Sequence, residues 1–277
     1  MRTFRTEPES SGSSMPDTQA SEERAGEFVQ SLDRGLAVIR AFGAERPSLT
    51  LSEVARQTGL SRAAARRFLH TLVELGYVGS DGREFHLRPR LLELGYAYLS
   101  GLSLPEIAQP HLQRLSDETG ESSSVAVLDE DEIVYVARVA VPRIMSVSIA
   151  VGSRLPAFAT SLGRAIVASR PSEFRDEFLR RAELRPLTSH TIIDRAVLSD
   201  ELERVAAQGW SLVDQEFQEG SRSIAAPIRD YTGAVVAAVN VAAPARLSES
   251  TSVFLEPLLR AAEAIELDLR QTRTHFP

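Results

Sequence analysis

The sequence predicts an α+β fold in two modules, a small helical one followed by a larger mixed one, and three observations carry that prediction. Leu51 to Arg90 reads as helix, turn, helix and hairpin without a gap. From Ser122 onward, stretches that alternate with the period of a strand are interleaved with stretches that repeat with the period of a helix. At 277 residues the chain is long enough for two domains with cores of their own.

Residues 1–26 are rich in Ser, Glu, Pro and Thr, with few large apolar side chains, and are expected to be a disordered tail in which Met15 is an alternative start. Phe28 to Phe42 places Leu32, Leu36, Ile39, Ala41 and Phe42 at helical spacing, a helix that completes the first module's core. Leu51 to Thr58 is a short helix with Leu51, Val54 and Ala55 on one stripe and Ser52 positioned to cap it. Gly59-Leu60 supplies a tight turn, and Ser61 caps a second helix. On that helix Ala65, Phe68, Leu69 and Leu72 share one face. Ala63, Arg66, Arg67 and His70 point the other way, and Arg62 flanks them. Gly76 to Ser80, the turn signal Asp81-Gly82 and Glu84 to Leu87 then form a hairpin with Arg83 at its tip.

Helix, turn, helix and wing in this order is a winged helix-turn-helix, and its chemistry suits double-stranded DNA. Small residues at the start of the second helix permit close approach to a groove, and guanidinium forks match phosphate oxygens or guanine edges. The expected DNA-contacting set is Ser52, Ser61, Arg62, Ala63, Arg66, Arg67, His70 and Arg83. The chain carries a net charge of -7, yet Leu51 to Arg90 holds seven arginines against four acids. A basic module on an acidic protein fits a sequence-specific binder whose larger part does something else.

Composition narrows the chemistry further. All 31 basic residues are arginine, which excludes Schiff-base catalysis and a Walker-type phosphate loop. Cysteine is absent, so thiolate nucleophiles, disulfides and cysteine-ligated metals are excluded too. His70, His86, His111, His190 and His275 lack metal-ligand spacing, and no cofactor is expected. No apolar run approaches the roughly 20 residues of a membrane span, and a cytoplasmic location is expected.

Beyond the wing, Leu91 to Leu99 reads as an apolar helix between the modules, buried either against a symmetry mate or against its own chain. Leu104 to Thr119 is a further helix. Strands follow at Ser122 to Leu128, Ile133 to Ala140 and Ile144 to Ala150, then loop residues Gly152 to Ala159 and helices near Ser161 to Ser169, Ser172 to Arg181 and Arg195 to Gln208. Trp210 to Val213, Ser223 to Arg229 and Ala234 to Ala242 are strands, and Val253 to Arg270 closes the chain as a long helix. The order suggests an antiparallel sheet covered by helices.

Thr160-Ser161 stands where a loop becomes a helix, so the first amides of that helix, at Ser161 and Leu162, make an anion seat. Asn240 is a lone amide in an apolar strand and needs a buried partner or a ligand. Arg138, Arg154 and Arg222 are candidates to pair with a carboxylate through a bidentate fork.

The chain from Phe28 to Leu269 resembles an IclR-family transcriptional regulator. Three segments carry the resemblance: Ser31-Leu-Asp-Arg-Gly-Leu36, Leu155-Pro-Ala-Phe-Ala-Thr-Ser-Leu-Gly-Arg-Ala165, and Asp214 to Ile228. The Pro-Ala-x-x-Thr-Ser-x-Gly-Arg run and Gln208 to Glu216 are similar to the PcaR/PcaU/PobR branch, which controls aromatic-acid breakdown by the protocatechuate and β-ketoadipate route. The resemblance implies residues 27–90 as the DNA-binding domain, 91–104 as a linker helix and 105–277 as a GAF-like α/β domain that binds an effector and oligomerises. It implies a homodimer or tetramer on a palindromic operator and a small carboxylic acid as effector. The pocket's far wall would come from Asp214, Ser221, Ser223 and Asn240, with Asp214 expected to be structural and Ser223 replacing a cysteine of some relatives. Two other readings compete. One is a DNA-binding repressor whose second domain only oligomerises. The other, a serine hydrolase built on Ser161, His190 and Asp194, lacks a Gly-x-Ser-x-Gly elbow.

Overall fold

The computed structural model describes residues 28–43, 46–94, 104–142, 149–245 and 252–272, and the chain divides into two compact units, 1–95 and 96–277. The expected tail, the linker helix beyond Leu94 and most of the expected strand Ile144 to Ala150 lie outside the described residues.

The first unit contains α1 (Gln30–Arg40), β1 (Ser48–Thr50), α2 (Leu51–Thr58), α3 (Arg62–Glu74), β2 (Val78–Ser80) and β3 (Glu84–Leu87). Val38, Phe42, Leu49, Val54, Ala55, Ala65, Leu69, Leu72 and Val78 form its core. Three details depart from expectation. Thr50, not Ser52, caps α2: its hydroxyl accepts from the Glu53 amide while Glu53 Oε2 accepts from the Thr50 amide, a reciprocal box that leaves Ser52 exposed one residue inside the helix. Ser48–Thr50 adds a third strand, giving the antiparallel order β1-β3-β2. On α1 it is Val38 that is buried, while Leu32 remains 62 % exposed and Leu36 is exposed too.

The second unit contains α4 (Leu104–Thr119), β4 (Ser122–Asp129), β5 (Glu132–Val139), β6 (Arg154–Pro156), α5 (Ser161–Ala168), α6 (Ser172–Arg181), α7 (Arg195–Gln208), β7 (Ser211–Asp214), β8 (Ser221–Arg229), β9 (Val235–Pro244) and α8 (Ser252–Thr272). Its six strands are antiparallel in the order β6-β5-β4-β9-β8-β7. Strand alternation sorts the residues between two helical layers. Ala237, Val239 and Val241 join Leu112, Leu258 and Ile265 on the α4 and α8 side, whereas Ala126, Ala225 and Ala238 join Leu162, Ile166 and Leu202 on the α5 and α7 side. Small side chains on that second face let α5 approach the sheet closely. β6 was not expected: three residues ending in proline lie inside the stretch read as a loop, and they pair with the edge of β5.

Candidate functional site

Two surfaces carry chemistry, one in each unit. In the first, Gly59 ends α2 at φ 67°, a left-handed conformation that glycine adopts without strain, and Ser61 Oγ accepts the Ala64 amide at 3.2 Å to start α3. Burial of Ala65, Leu69 and Leu72 turns Arg62, Ala63, Arg66, Arg67 and His70 out to solvent. Among the described residues none of these arginines, nor Arg83, forms an ion pair, so the guanidinium groups are uncommitted. The wing tip is built by Asp81, whose Oδ1 accepts from the amides of Glu84 at 2.7 Å and Arg83 at 2.9 Å. Those two bonds hold its carboxyl below the usual carboxylate range. Gly82 adopts φ 96°, and Arg83 is exposed beside it.

In the second unit a pocket of about 430 Å³, part of it open to solvent, lies between the sheet and the start of α5. Thr160, Ser161 and Leu162 form one wall. Ser221, Ser223, Asn240 and Ala242 form the sheet side, and Tyr135, Ile149, Leu155, Val213 and Phe217 supply apolar surface.

The polar side is a connected chain. Asn240 Nδ2 donates to Ser223 Oγ at 2.9 Å, and Ser223 Oγ lies 2.6 Å from Ser161 Oγ. Because Asn240 donates, Ser223 can pass its hydrogen to Ser161 and leave the Ser161 hydroxyl to donate into the pocket. Thr160 Oγ1 takes the Gly163 amide at 3.2 Å, so the amides of Ser161 and Leu162 are the uncommitted donors of the first turn. One hydroxyl and two amides at a helix N-terminus are donors of the kind that suit an anion. Tyr135 adds a phenol whose pKa burial pushes up to about 12, so it stays a neutral hydroxyl.

The arginines do not line this pocket. Arg154 is exposed on β6 and pairs with Glu132 and Asp129 at the sheet edge. Arg222 lies between Ser221 and Ser223 on β8, so alternation carries it to the opposite face, where it binds Asp214 at 2.6 Å and lowers that carboxyl's pKa. Neither Asp214 nor Arg222 is among the residues that line the pocket. Arg138 shares the sheet face of Asn240 but sits two strands away, donating to Ser124 Oγ at 2.9 Å. Nor does the structure assemble a hydrolytic triad: Ser161 bonds Ser223, and Asp194 accepts from the Ala196 and Val197 amides to cap α7.

Two residues that hold the site together had not been singled out. Arg164, 1 % exposed, donates to the Phe158 carbonyl and forms a two-pronged pair with Glu216 at 2.7 and 2.5 Å. Glu216 also accepts the Ile192 amide, and the hydroxyl of Thr191 donates to the Glu216 carbonyl. The pair fastens the loop carrying Phe217 and Gln218 to α5. Both residues stand in the segments that carry the family resemblance, so the signal was present without its geometry.

A winged helix-turn-helix with an exposed basic helix, followed by an α/β domain holding an anion seat, defines a transcriptional regulator. The IclR helix-turn-helix domain matches residues 31–82 and the bacterial transcriptional regulator IclR C-terminal domain matches 96–267; the chain belongs to the IclR family. It is 46 % identical to the Pca regulon regulatory protein of Pseudomonas putida, over 85 % of this chain and 82 % of that one. It is 37 % identical to the p-hydroxybenzoate hydroxylase transcriptional activator of Acinetobacter baylyi, over 78 % and 82 %. An IclR homolog from Microbacterium hydrocarbonoxydans, solved in complex with 4-hydroxybenzoate, superposes with a TM-score of 0.79 at 28 % identity, covering 87 % of this chain and all of that one.

Proposed function

We propose that this regulator binds an operator through α3 and the wing, and that a small aromatic acid in the pocket modulates that binding. The observation that carries the effector reading is the Asn240–Ser223–Ser161 hydrogen-bond chain, which ends at the amides of α5 inside a pocket with apolar walls at Leu155, Val213 and Phe217. The acid's carboxylate would accept from the Ser161 and Leu162 amides and the Ser161 hydroxyl, with Thr160 and Ser221 beside it. The ring would lie against Tyr135, Leu155 and Phe217. The relatives that control pca genes and p-hydroxybenzoate hydroxylase, and the homolog holding 4-hydroxybenzoate, support an aromatic acid of that pathway.

On DNA, Ser61, Arg62, Ala63, Arg66, Arg67 and His70 would meet the major groove, with Arg83 on the adjoining backbone. The protein would act in the cytoplasm as a homodimer or tetramer on a palindromic site. Exposed Phe28, Val29, Leu32 and Leu36 on and before α1, with Leu92 and Leu94 past the wing, give apolar surface for a second copy. The effector acts by binding one arrangement of the oligomer better than another.

Calorimetric titration and thermal shift against aromatic and dicarboxylic acids test the effector reading. An effector at about 100 times its dissociation constant stabilises the native state by roughly 2.7 kcal/mol. Silence across the panel with DNA binding intact would favour a second domain that only oligomerises.

A further inference from the structure

The pocket contains an acceptor that no donor among the described residues reaches. Asn240 is 4 % exposed; its Nδ2 is bound to Ser223, while its Oδ1 has no hydrogen-bond partner. A buried carbonyl oxygen without a donor is uncommon in a folded protein and points to a partner from outside the chain. A carboxylate cannot be that partner, because it has no hydrogen to give and its charge would face the oxygen's partial negative charge. The missing group is a donor.

Turning the amide over would satisfy Oδ1 only at the expense of the seat, and would leave Nδ2 as the unpaired group. Oδ1 would then take the Ser223 hydrogen, Ser223 would take that of Ser161, and the seat at α5 would lose its hydroxyl donor. The orientation present keeps both ends useful: Ser161 donates at one end and Asn240 Oδ1 accepts at the other. Only two hydrogen bonds, of 2.6 and 2.9 Å, separate Ser161 Oγ from Asn240 Nδ2, so seat and acceptor face one pocket. Tyr135, Gln218 and Ser221 also line the pocket and carry side-chain oxygens, so a variant at Asn240 is what separates its contribution from theirs.

We propose that Asn240 Oδ1 is a specificity element that accepts a hydrogen from a ring substituent of the effector, so that the pocket selects acids bearing a donor over isosteric acids without one. The inference rests on the carboxylate seat proposed above and adds what the far end of the ligand must be. A site built to bind a hydroxyl rejects an analogue lacking it far more strongly than an apolar pocket rejects a changed methyl group.

The test is titration calorimetry of the full-length protein with benzoate carrying hydroxyl, amino, fluoro or methyl at the 4-position, and hydroxyl or fluoro at the 3-position. The hydroxyl or amino acids at one of these positions should bind at least tenfold more tightly than the fluoro and methyl acids. Asn240→Ala should bring the ratio to within about twofold. Equal affinities in the wild type, or an undiminished ratio in Asn240→Ala, would overturn the proposal while leaving the seat intact. Failure of every acid to bind would overturn the seat and the proposal together. If Asn240→Ala does not fold, Asn240→Ser takes its place with the same two outcomes.

Discussion

Arg164 is a full charge in a place where water does not reach, and Glu216 is what makes that tolerable. The attraction between buried charges offsets their desolvation only when geometry and remaining hydrogen bonds are complete, as they are here with Phe158 and Ile192 also engaged. Glu216→Ala should therefore cost about 3–5 kcal/mol in denaturant unfolding, because it leaves the guanidinium only the more distant Glu201 carboxylate, at 4.0 Å. A loss under 1 kcal/mol would mean that water reaches Arg164. On the other unit Arg66 is exposed and unpaired, so Arg66→Ala should leave unfolding unchanged and weaken operator binding by about 1–3 kcal/mol in a gel-shift titration. Unchanged binding would remove α3 from the groove. The roles of individual residues were partly legible in the sequence. Asn240 stood out as an amide among Val and Ala, and period-two alternation already separates Arg222 from Ser221 and Ser223. What was hidden is which arginines have acids within reach: Asp129 and Glu132 meet Arg154 only once β6 pairs with β5.

Elements announce themselves when their ends are marked. Ser61, Thr160 and Asp194 each cap a helix that the apolar spacing also predicts, and α3, α5 and α7 were legible for that reason. β1 and β6 are three residues each, too short for alternation to register, and they exist because a neighbouring strand offers an edge. The placement of α5 depends on a glycine for reasons of space. A Cβ on Gly163 would stand 2.3 Å from the Ala157 carbonyl oxygen, so α5 must back away from the preceding turn to accept one. Gly163→Ala should lower the midpoint of thermal unfolding and weaken acid binding at least tenfold, as the Ser161 and Leu162 amides move with the helix; unaltered acid affinity would place the seat elsewhere. In the wing, Asp81 is ionised at a depressed pKa because Glu84 and Arg83 donate to it. Its contribution is complete above the unfolded value of about 3.9 and is lost as pH falls through the lower folded value. Protection factors of the amides in the 81–84 turn should thus hold at neutral pH and fall only in acid, whereas Asp81→Ala should lower them at neutral pH. Identical exchange in the two proteins would show that the carboxylate does not hold the turn.

At the scale of the whole molecule, two units of different electrostatic character share one chain. In the unit 1–95 the stretch Leu51 to Arg90, with seven arginines against four acids, would meet a polyanion, and the proposed seat in the unit 96–277 is small and flanked by apolar side chains. The division of labour was legible from charge and motif order. The shape of the pocket was not, because Phe217 and Gln218 reach it from a loop fixed by the long-range pair between Arg164 and Glu216, 52 residues apart. The account's central claim is that occupation of this pocket changes the grip on DNA, which requires a coupling of roughly 1–3 kcal/mol. The most direct measurement is affinity for a DNA site selected from random duplexes, determined by fluorescence anisotropy with and without saturating 4-hydroxybenzoate at fixed salt. A 5- to 150-fold change in either direction is predicted. Calorimetrically verified binding of the acid with DNA affinity unaltered would contradict it.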